Sequence, residues 1–269
     1  MGEQDVSALR LSFGRQCRLL REHHKMTRDT VGQGCAVSGS MIGAVERGER
    51  IPDTGLIHSM DQVLEANGLL ASVSDYMAAE KYREFFRDFA VLERQCYALN
   101  AYAPLAVPGL LQTEAYARAT FEMYTPSLTE EEIEKQVAAR LERQQLLYRE
   151  PKPFLGFIIE ESVLQRPIGG RAVLKAQLLH LLDCARLHFV TVQVMPTDRE
   201  DHVGLHGYLT LVTSKAHRQH AYLEHQDGSS LISDKKRVAL LQERYGILRA
   251  QALSPRESAQ FIEKQAGAV

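Results

Sequence analysis

Five of the ten histidines fall between His202 and His225, at His202, His206, His217, His220 and His225. Imidazole is a ligand for zinc and other transition metals, and both the His202-x3-His206 and His217-x2-His220 spacings invite that reading. The segment has the pattern of strands and turns, where such spacings scatter side chains onto both faces, and no cysteine lies nearby. No metal site is therefore expected. Glu160 and Glu161 follow a compact apolar run, and a carboxylate at a strand end can act as a general acid or base. Neither has a partner legible in the sequence, so a helix cap or an ion pair with Arg166 or Arg171 is the expected role. Cys17 and Cys35 could form a redox pair, but Cys17 lies on an apolar stripe and both are expected as buried thiols. No nucleophile elbow, phosphate-binding glycine loop, zinc-protease pair or dinucleotide fingerprint is present, and Gly32-Gln33-Gly34 follows no strand. No enzymatic chemistry and no cofactor are expected.

A different chemistry is concentrated near the start of the chain. Residues 7–50 carry eight Lys or Arg against four Asp or Glu, a local charge of +4. The whole chain is at −2, which leaves −6 elsewhere. That balance gives no support for indiscriminate coating of nucleic acid, so a phosphate-binding surface must be a local patch.

The elements that would position this patch are short helices. Leu9, Phe13, Cys17 and Leu20 recur at helical spacing, with Arg10, Arg15, Arg18 and Arg21 expected on the opposite, solvated face. Thr27 and Ser38 can cap a second and a third helix, and Val37, Ile42 and Val45 give the third a buried edge. Gly48 and Pro52 stop it. Leu56, Met60, Val63 and Leu64 form a fourth stripe ending at Asn67-Gly68.

Two short helices joined by a tight turn form the helix-turn-helix plan. Leu19 to Glu22, Thr27 to Val31, Val37 to Ile42 and the run Glu46-Arg47-Gly48-Glu49-Arg50-Ile51-Pro52 resemble the Xre/Cro type of lambda-repressor-like domain. That resemblance implies Ser38, Gly39, Ser40, Met41 and Gly43 facing bases. It implies Thr27 and Arg28 on phosphate, with Arg47 and Arg50 in support. Two departures stand out, Ala36 where the turn usually has glycine and Gly32 where the scaffold helix usually has alanine. The third helix also lacks Arg, Lys, Asn or Gln near its start, so bidentate base readout is absent. Specificity would then come from DNA shape and from paired half-sites, which implies a homodimer.

The remainder is expected as a larger unit, helical over 73–150 and mixed over 151–269, after an N-terminal domain at 7–72. Helices are expected from Thr113 and, behind a Thr129–Glu132 capping box, through Ile133, Val137, Leu141, Gln144 and Tyr148. Strands are expected at Phe154–Ile159, Phe189–Met195, Tyr208–Thr213 and Ala221–Glu224, with a turn at Asp227-Gly228. Further helices run through Leu174–Ala185 and Val238–Leu248, and a last one opens at Ser254-Pro255-Arg256-Glu257. The fold class is a mainly α N-terminal bundle followed by an α+β domain.

From Phe85-Phe86-Arg87 onward, this unit resembles the C-terminal domain of WhiJ-like and antitoxin-like actinobacterial regulators. The similarity runs through Val107 to Ala117, Arg140 to Gln144, Glu160 to Leu164, Pro167 to Gly170, Gln177 to Leu181, Val192 to Pro196 and Tyr222 to Glu224. It implies a DNA-binding transcriptional regulator whose large domain contacts a small companion protein encoded nearby. Alternatives are an interaction module in which DNA binding is secondary, and a repressor sensing a small ligand in a pocket lined by Tyr97, Tyr102, Tyr116, Tyr208 and Tyr222. Pro108 to Gln112 is expected as a packing loop.

Composition bounds the rest. An apolar fraction of 45% with 25% charged residues suits a globular chain. Four scattered cysteines fit reduced thiols. The polar start Met1-Gly2-Glu3-Gln4-Asp5 lacks a signal-like apolar segment, and the longest apolar run, Phe154–Ile159, is far short of a membrane span. A cytoplasmic protein without membrane contact is expected.

Overall fold

The computed structural model describes residues 7–80, 84–226 and 228–269, with Glu84 and Phe85 described as backbone alone. The acidic start, the side chain of Phe85 and the Asp227 half of the expected turn lie outside the described residues. The chain divides into two compact units, Met1–Val91 and Leu92–Val269.

The first unit is built of helices: α1 (Ala8–His23), α2 (Arg28–Gly34), α3 (Gly39–Glu46), α4 (Thr54–Val63), α5 (Ser74–Ala79) and the start of α6 (Glu84–Arg94). Its core takes Phe13 and Cys17 from α1, Ile42 and Val45 from α3 and Met60 and Leu64 from the α4 region, as the stripes lead one to expect, and adds Val31 and Ile57; Leu9, Leu20, Val37, Leu56 and Val63 are only partly buried around it. Hydroxyl or carboxylate caps begin the helices, with Thr27, Ser38 and Asp53 accepting from the N–H of Thr30, Met41 and Leu56. Gly48, at φ 71°, ends α3. Its N–H reaches Val45 O while that of Glu49 reaches Ala44 O, so two otherwise unsatisfied carbonyls are paired. Arg10 and Arg21 are not on a solvated face. Both are half-buried, Arg21 because it reaches Glu46 of α3.

The second unit centres on a six-stranded sheet ordered β3-β2-β1-β4-β5-β6. The strands are β1 (Cys96–Ala103), β2 (Phe154–Glu160), β3 (Val190–Met195), β4 (Leu209–Ser214), β5 (Gln219–His225) and β6 (Gly228–Ile232). β1, β2 and β3 are parallel, while β1, β4, β5 and β6 pair antiparallel. The helices of this unit are α7 (Glu114–Glu122), α8 (Glu130–Arg143), α9 (Glu161–Gln165), α10 (Arg171–Ala185), α11 (Lys235–Gln251) and α12 (Pro255–Ala268). The domain is α+β.

Three expectations are corrected. The stretch 73–150 is not helical throughout, since it contains β1, which pairs with both β2 and β4. α8 stops at Arg143 and does not run to Tyr148, which is exposed. β6 pairs with β5 beyond the last expected strand.

One sheet face, carrying Tyr102, Ile158, Met195, Leu209 and Leu211, packs on Val238, Tyr245 and Leu248 of α11. α10 and α12 pack against β3. The free edge of β3 is closed by the start of α12, where Val194 N–H donates to Ser258 Oγ and Leu253 N–H to Val194 O. An edge strand covered in this way cannot template pairing with another chain.

Candidate nucleic-acid interface

The link between α2 and α3 is Cys35-Ala36-Val37, and its turn residue Ala36 has φ 57°. A β-carbon in the left-handed region costs about 1–2 kcal/mol. The chain tolerates it because the backbone around it is bonded: Cys35 N–H reaches Val31 O, and Val37 N–H reaches Gly32 O at 2.8 Å. Gly32 is required by contact, since a β-carbon there would stand 2.7 Å from Val37 O. Ala36→Gly should raise stability by up to about 1 kcal/mol, relief of the turn being offset partly by the larger unfolded-state entropy of glycine. The denaturant midpoint of the two chains measures this, and a lower midpoint for the glycine variant would refute it.

Arginines hold the two helices together from below. Glu46, at the end of α3, has a side chain only 1% exposed. Its Oε1 accepts from Arg21 Nε at 2.5 Å and its Oε2 from Arg21 Nη2 at 3.2 Å and Arg28 Nε at 2.9 Å. Arg21 also donates to Met26 O. Burial pushes the Glu46 carboxyl upward, but the hydrogen bonds from Arg21 and Arg28 outweigh it and hold the group below its ordinary value. One carboxylate therefore joins the end of α1, the start of α2 and the end of α3. Gly14 of α1 makes that approach possible, because a β-carbon there would lie 2.5 Å from the carbonyl oxygens of Val45 and Glu46.

Of the expected contact residues, Arg28, Gly43 and Arg47 lie together. Arg28 is exposed, with Nη1 and Nη2 left over once Nε is bound to Glu46. Arg47 is exposed and paired with the equally exposed Glu49, a solvent-screened interaction that contributes little to stability. Arg28 and Arg47 converge over Gly43: its β-position lies 3.2 Å from Arg47 Nη1 and 3.5 Å from Arg28 Cδ. Gly43 itself is buried and presents space rather than a contact surface. Arg50, Ser38, Ser40 and Thr27 are exposed, while Gly39 and Met41 are half-buried. Ser38 and Ser40 bond each other at 2.8 Å, and Thr27 bonds Thr30. The sequence reading missed Asp29. Its carboxylate occupies the space beside Gly39, where a β-carbon would overlap Oδ1, and puts an acceptor at the start of α3.

In the second unit the isolated candidates find each other. Glu160 pairs with neither Arg166 nor Arg171. Its Oε1 accepts from Tyr102 Oη at 2.8 Å and lies 2.7 Å from His202 Nε2. Gly204 N–H donates to His202 Nδ1 at 2.7 Å, which places the imidazole proton on Nε2, toward Glu160. Both nitrogens are engaged, so His202 has no lone pair to offer a metal or a substrate. Among the described residues no group of three or more His, Cys, Asp or Glu side chains is placed to hold a metal ion. The five tyrosines do not line one pocket, although Tyr208 and Tyr222 lie near each other beside Glu224. Tyr102 and Tyr222 are on opposite sheet faces, Tyr116 is buried in α7 and receives Val107 N–H, and Tyr97 meets Phe154 and His217 edge to face. Cys17, Cys35, Cys96 and Cys184 are buried thiols, and burial pushes that of Cys17 up to about 12. Among the described residues no helix is long and apolar enough to cross a membrane.

The fold thus defines a two-unit chain, an arginine-faced helical unit joined to an α+β unit with a mixed sheet. Residues 86–264 match the family described as a domain of unknown function (DUF5753), and since this span exceeds half the chain, the chain belongs to that family. No curated protein matches it, and no solved structure does.

Proposed function

We propose that this protein is a helix-turn-helix transcriptional regulator of the Xre/Cro type, binding double-stranded operator DNA as a homodimer, with the DUF5753 domain as its regulatory part. The observation that carries this reading is the convergence of Arg28 and Arg47 over Gly43 beside the exposed start of α3. Two guanidiniums side by side, Arg28 fixed by the buried Glu46 and Arg47 held by the exposed Glu49, suit phosphate clamping, while α3 offers its N-terminal residues to the major groove. Ser40 and Met41 supply weak contacts there, and Asp29 supplies the acceptor type that reads cytosine N4. One such unit has too little base readout for affinity and specificity together, whereas two half-sites a helical turn apart provide both.

Titration of duplex DNA from the protein's own chromosomal neighbourhood against random duplex, at several salt concentrations, tests the reading. The specific duplex should bind more tightly throughout; equal affinities would remove operator recognition. Arg28→Ala and Arg50→Ala should weaken all sequences alike, each flattening the log K against log salt slope by about one. Arg50 serves as the cleaner probe, since Arg28 also bonds Glu46. Regulation by a companion protein or a small effector at the DUF5753 domain belongs to the same proposal.

A further inference from the structure

α11 is apolar on two sides. Val238, Tyr245 and Leu248 face the sheet, yet Leu240 is 65% and Ile247 48% exposed on the outer side. Beside them Leu205, 84% exposed, rims a cleft of about 400 Å³ that Leu240, Glu243, Arg244 and Ile247 also line. Grouped apolar side chains of this kind mark an interaction surface rather than ordinary surface scatter.

This surface is rigid. The segment bearing Leu205 is fixed by His202, which bonds Glu160 and Gly204. Gln251, in the last turn of α11, donates through Nε2 to Asp201 O and accepts Val203 N–H, and its carbonyl receives Arg199 Nε. The loop and the helix form one body, so Leu205 is held outward and has no route to bury itself. A Gly204 β-carbon would overlap His202 and Tyr102, which fixes the loop's path further.

The pattern on the helix names the occupant. Leu240, Glu243, Arg244 and Ile247 read the same backwards in character: apolar, charged, opposite charge, apolar. Within one chain neither Glu243 nor Arg244 has an ion-pair or hydrogen-bond partner among the described residues. We propose that two copies of this chain associate through this face, with the α11 helices antiparallel about a two-fold axis between Glu243 and Arg244. Each Leu240 then meets the partner copy's Ile247, and each Glu243 meets the partner copy's Arg244, the isologous arrangement that a two-fold interface demands. Opposite charges at the centre of an apolar contact set register and orientation. The inference supplies the interface for the dimer proposed above, but its readout needs no DNA.

Light scattering after size exclusion, on the full chain, should show a dimer. Glu243→Arg alone brings like charges together across the axis, and so does Arg244→Glu alone. Each should weaken self-association by at least about tenfold. An equimolar mixture of the two variants should restore a dimer, now mixed, because each supplies the charge the other lacks. Leu240→Asp should abolish association in every pairing. Unchanged circular dichroism and melting of the variants keep the result separate from unfolding. A monomeric wild-type chain, dimers indifferent to both reversals, or a mixture no stronger than its components would each overturn the proposal. A dimer that responds as described but leaves random and operator DNA indistinguishable would uphold the interface while rejecting the regulator reading.

Discussion

Glu46→Gln should cost the helical unit about 3–5 kcal/mol, a large share of the 5–15 kcal/mol that stabilises a typical domain. The carboxylate is almost wholly buried and its main partner, Arg21, is only 11% exposed. Removing the negative charge leaves a guanidinium inside the unit with an amide in place of its nearest counter-ion, and the exposed Glu22, 3.6 Å from Arg21 Nη2, compensates it only in part. The same residue predicts an acid response. Because the folded-state carboxyl is held below its ordinary value of 4.5, its contribution is complete above that pH and disappears as pH falls through the lower folded value. Hydrogen exchange of the α1, α2 and α3 amides should therefore accelerate on acidification in the wild-type chain. In Glu46→Gln it should be fast already, with less dependence on pH. A variant within about 0.5 kcal/mol of wild type would show that the three arginine contacts contribute little net stability. If the proposed regulator reading holds, DNA affinity should fall with the unit, because Glu46 orients Arg28 and anchors the end of α3.

Local signals made most of the helical unit legible. The caps Thr27 and Ser38, the stop at Gly48 and the stripes through Phe13, Ile42 and Met60 all act within a few residues, and sequence spacing reports interactions of that range. The hub does not act at that range. Arg21 and Glu46 are 25 residues apart, and a helical wheel alone sends Arg21 to solvent. β1 stayed hidden for another reason. Cys-Tyr-Ala-Leu-Asn-Ala-Tyr-Ala has four alanine or asparagine residues among its eight and no β-branched residue, so neither propensity nor alternation marks a strand. It becomes a strand through pairing on both sides. Its burial is equally non-alternating, since Ala101, Tyr102 and Ala103 are all buried. The Tyr102–Glu160–His202 cluster spans 100 residues of sequence, and only the sheet brings its three parts together. The histidine spacing is visible in the sequence, but Glu160, the carboxylate that engages His202, is 42 residues away.

Glu93→Ala is the second substitution with a large expected effect, and it concerns the loop that presents Val107 to Gln112. Glu93, its side chain 5% exposed, accepts from Arg143 Nε at 2.7 Å and from Arg143 Nη2 at 2.8 Å, with Arg143 itself 12% exposed. Next along α8, Arg140 donates to Gln112 Oε1 and stacks over Phe121 at 4.9 Å. Its tip lies against Gly109, whose absent side chain makes the room. Burial, and after it the charge of Arg143, pull the Arg140 guanidinium down to about 10. Glu93 thus offsets Arg143 directly, whereas Arg140 feels Glu224 first and Glu93 after it, and Gln112 in turn closes the loop by donating to Val107 O. Taking away the carboxylate should cost about 3–5 kcal/mol. For a unit of this size, that corresponds to a fall of ~10 °C in its melting temperature. Replacing the pair together, Glu93→Leu with Arg143→Met, should recover most of the loss, since a buried ion pair is often no better than an apolar pair of similar volume. If the double variant melts as low as Glu93→Ala, the bidentate geometry itself is what holds α8 to the end of α6, and burial of charge is the lesser part of the effect.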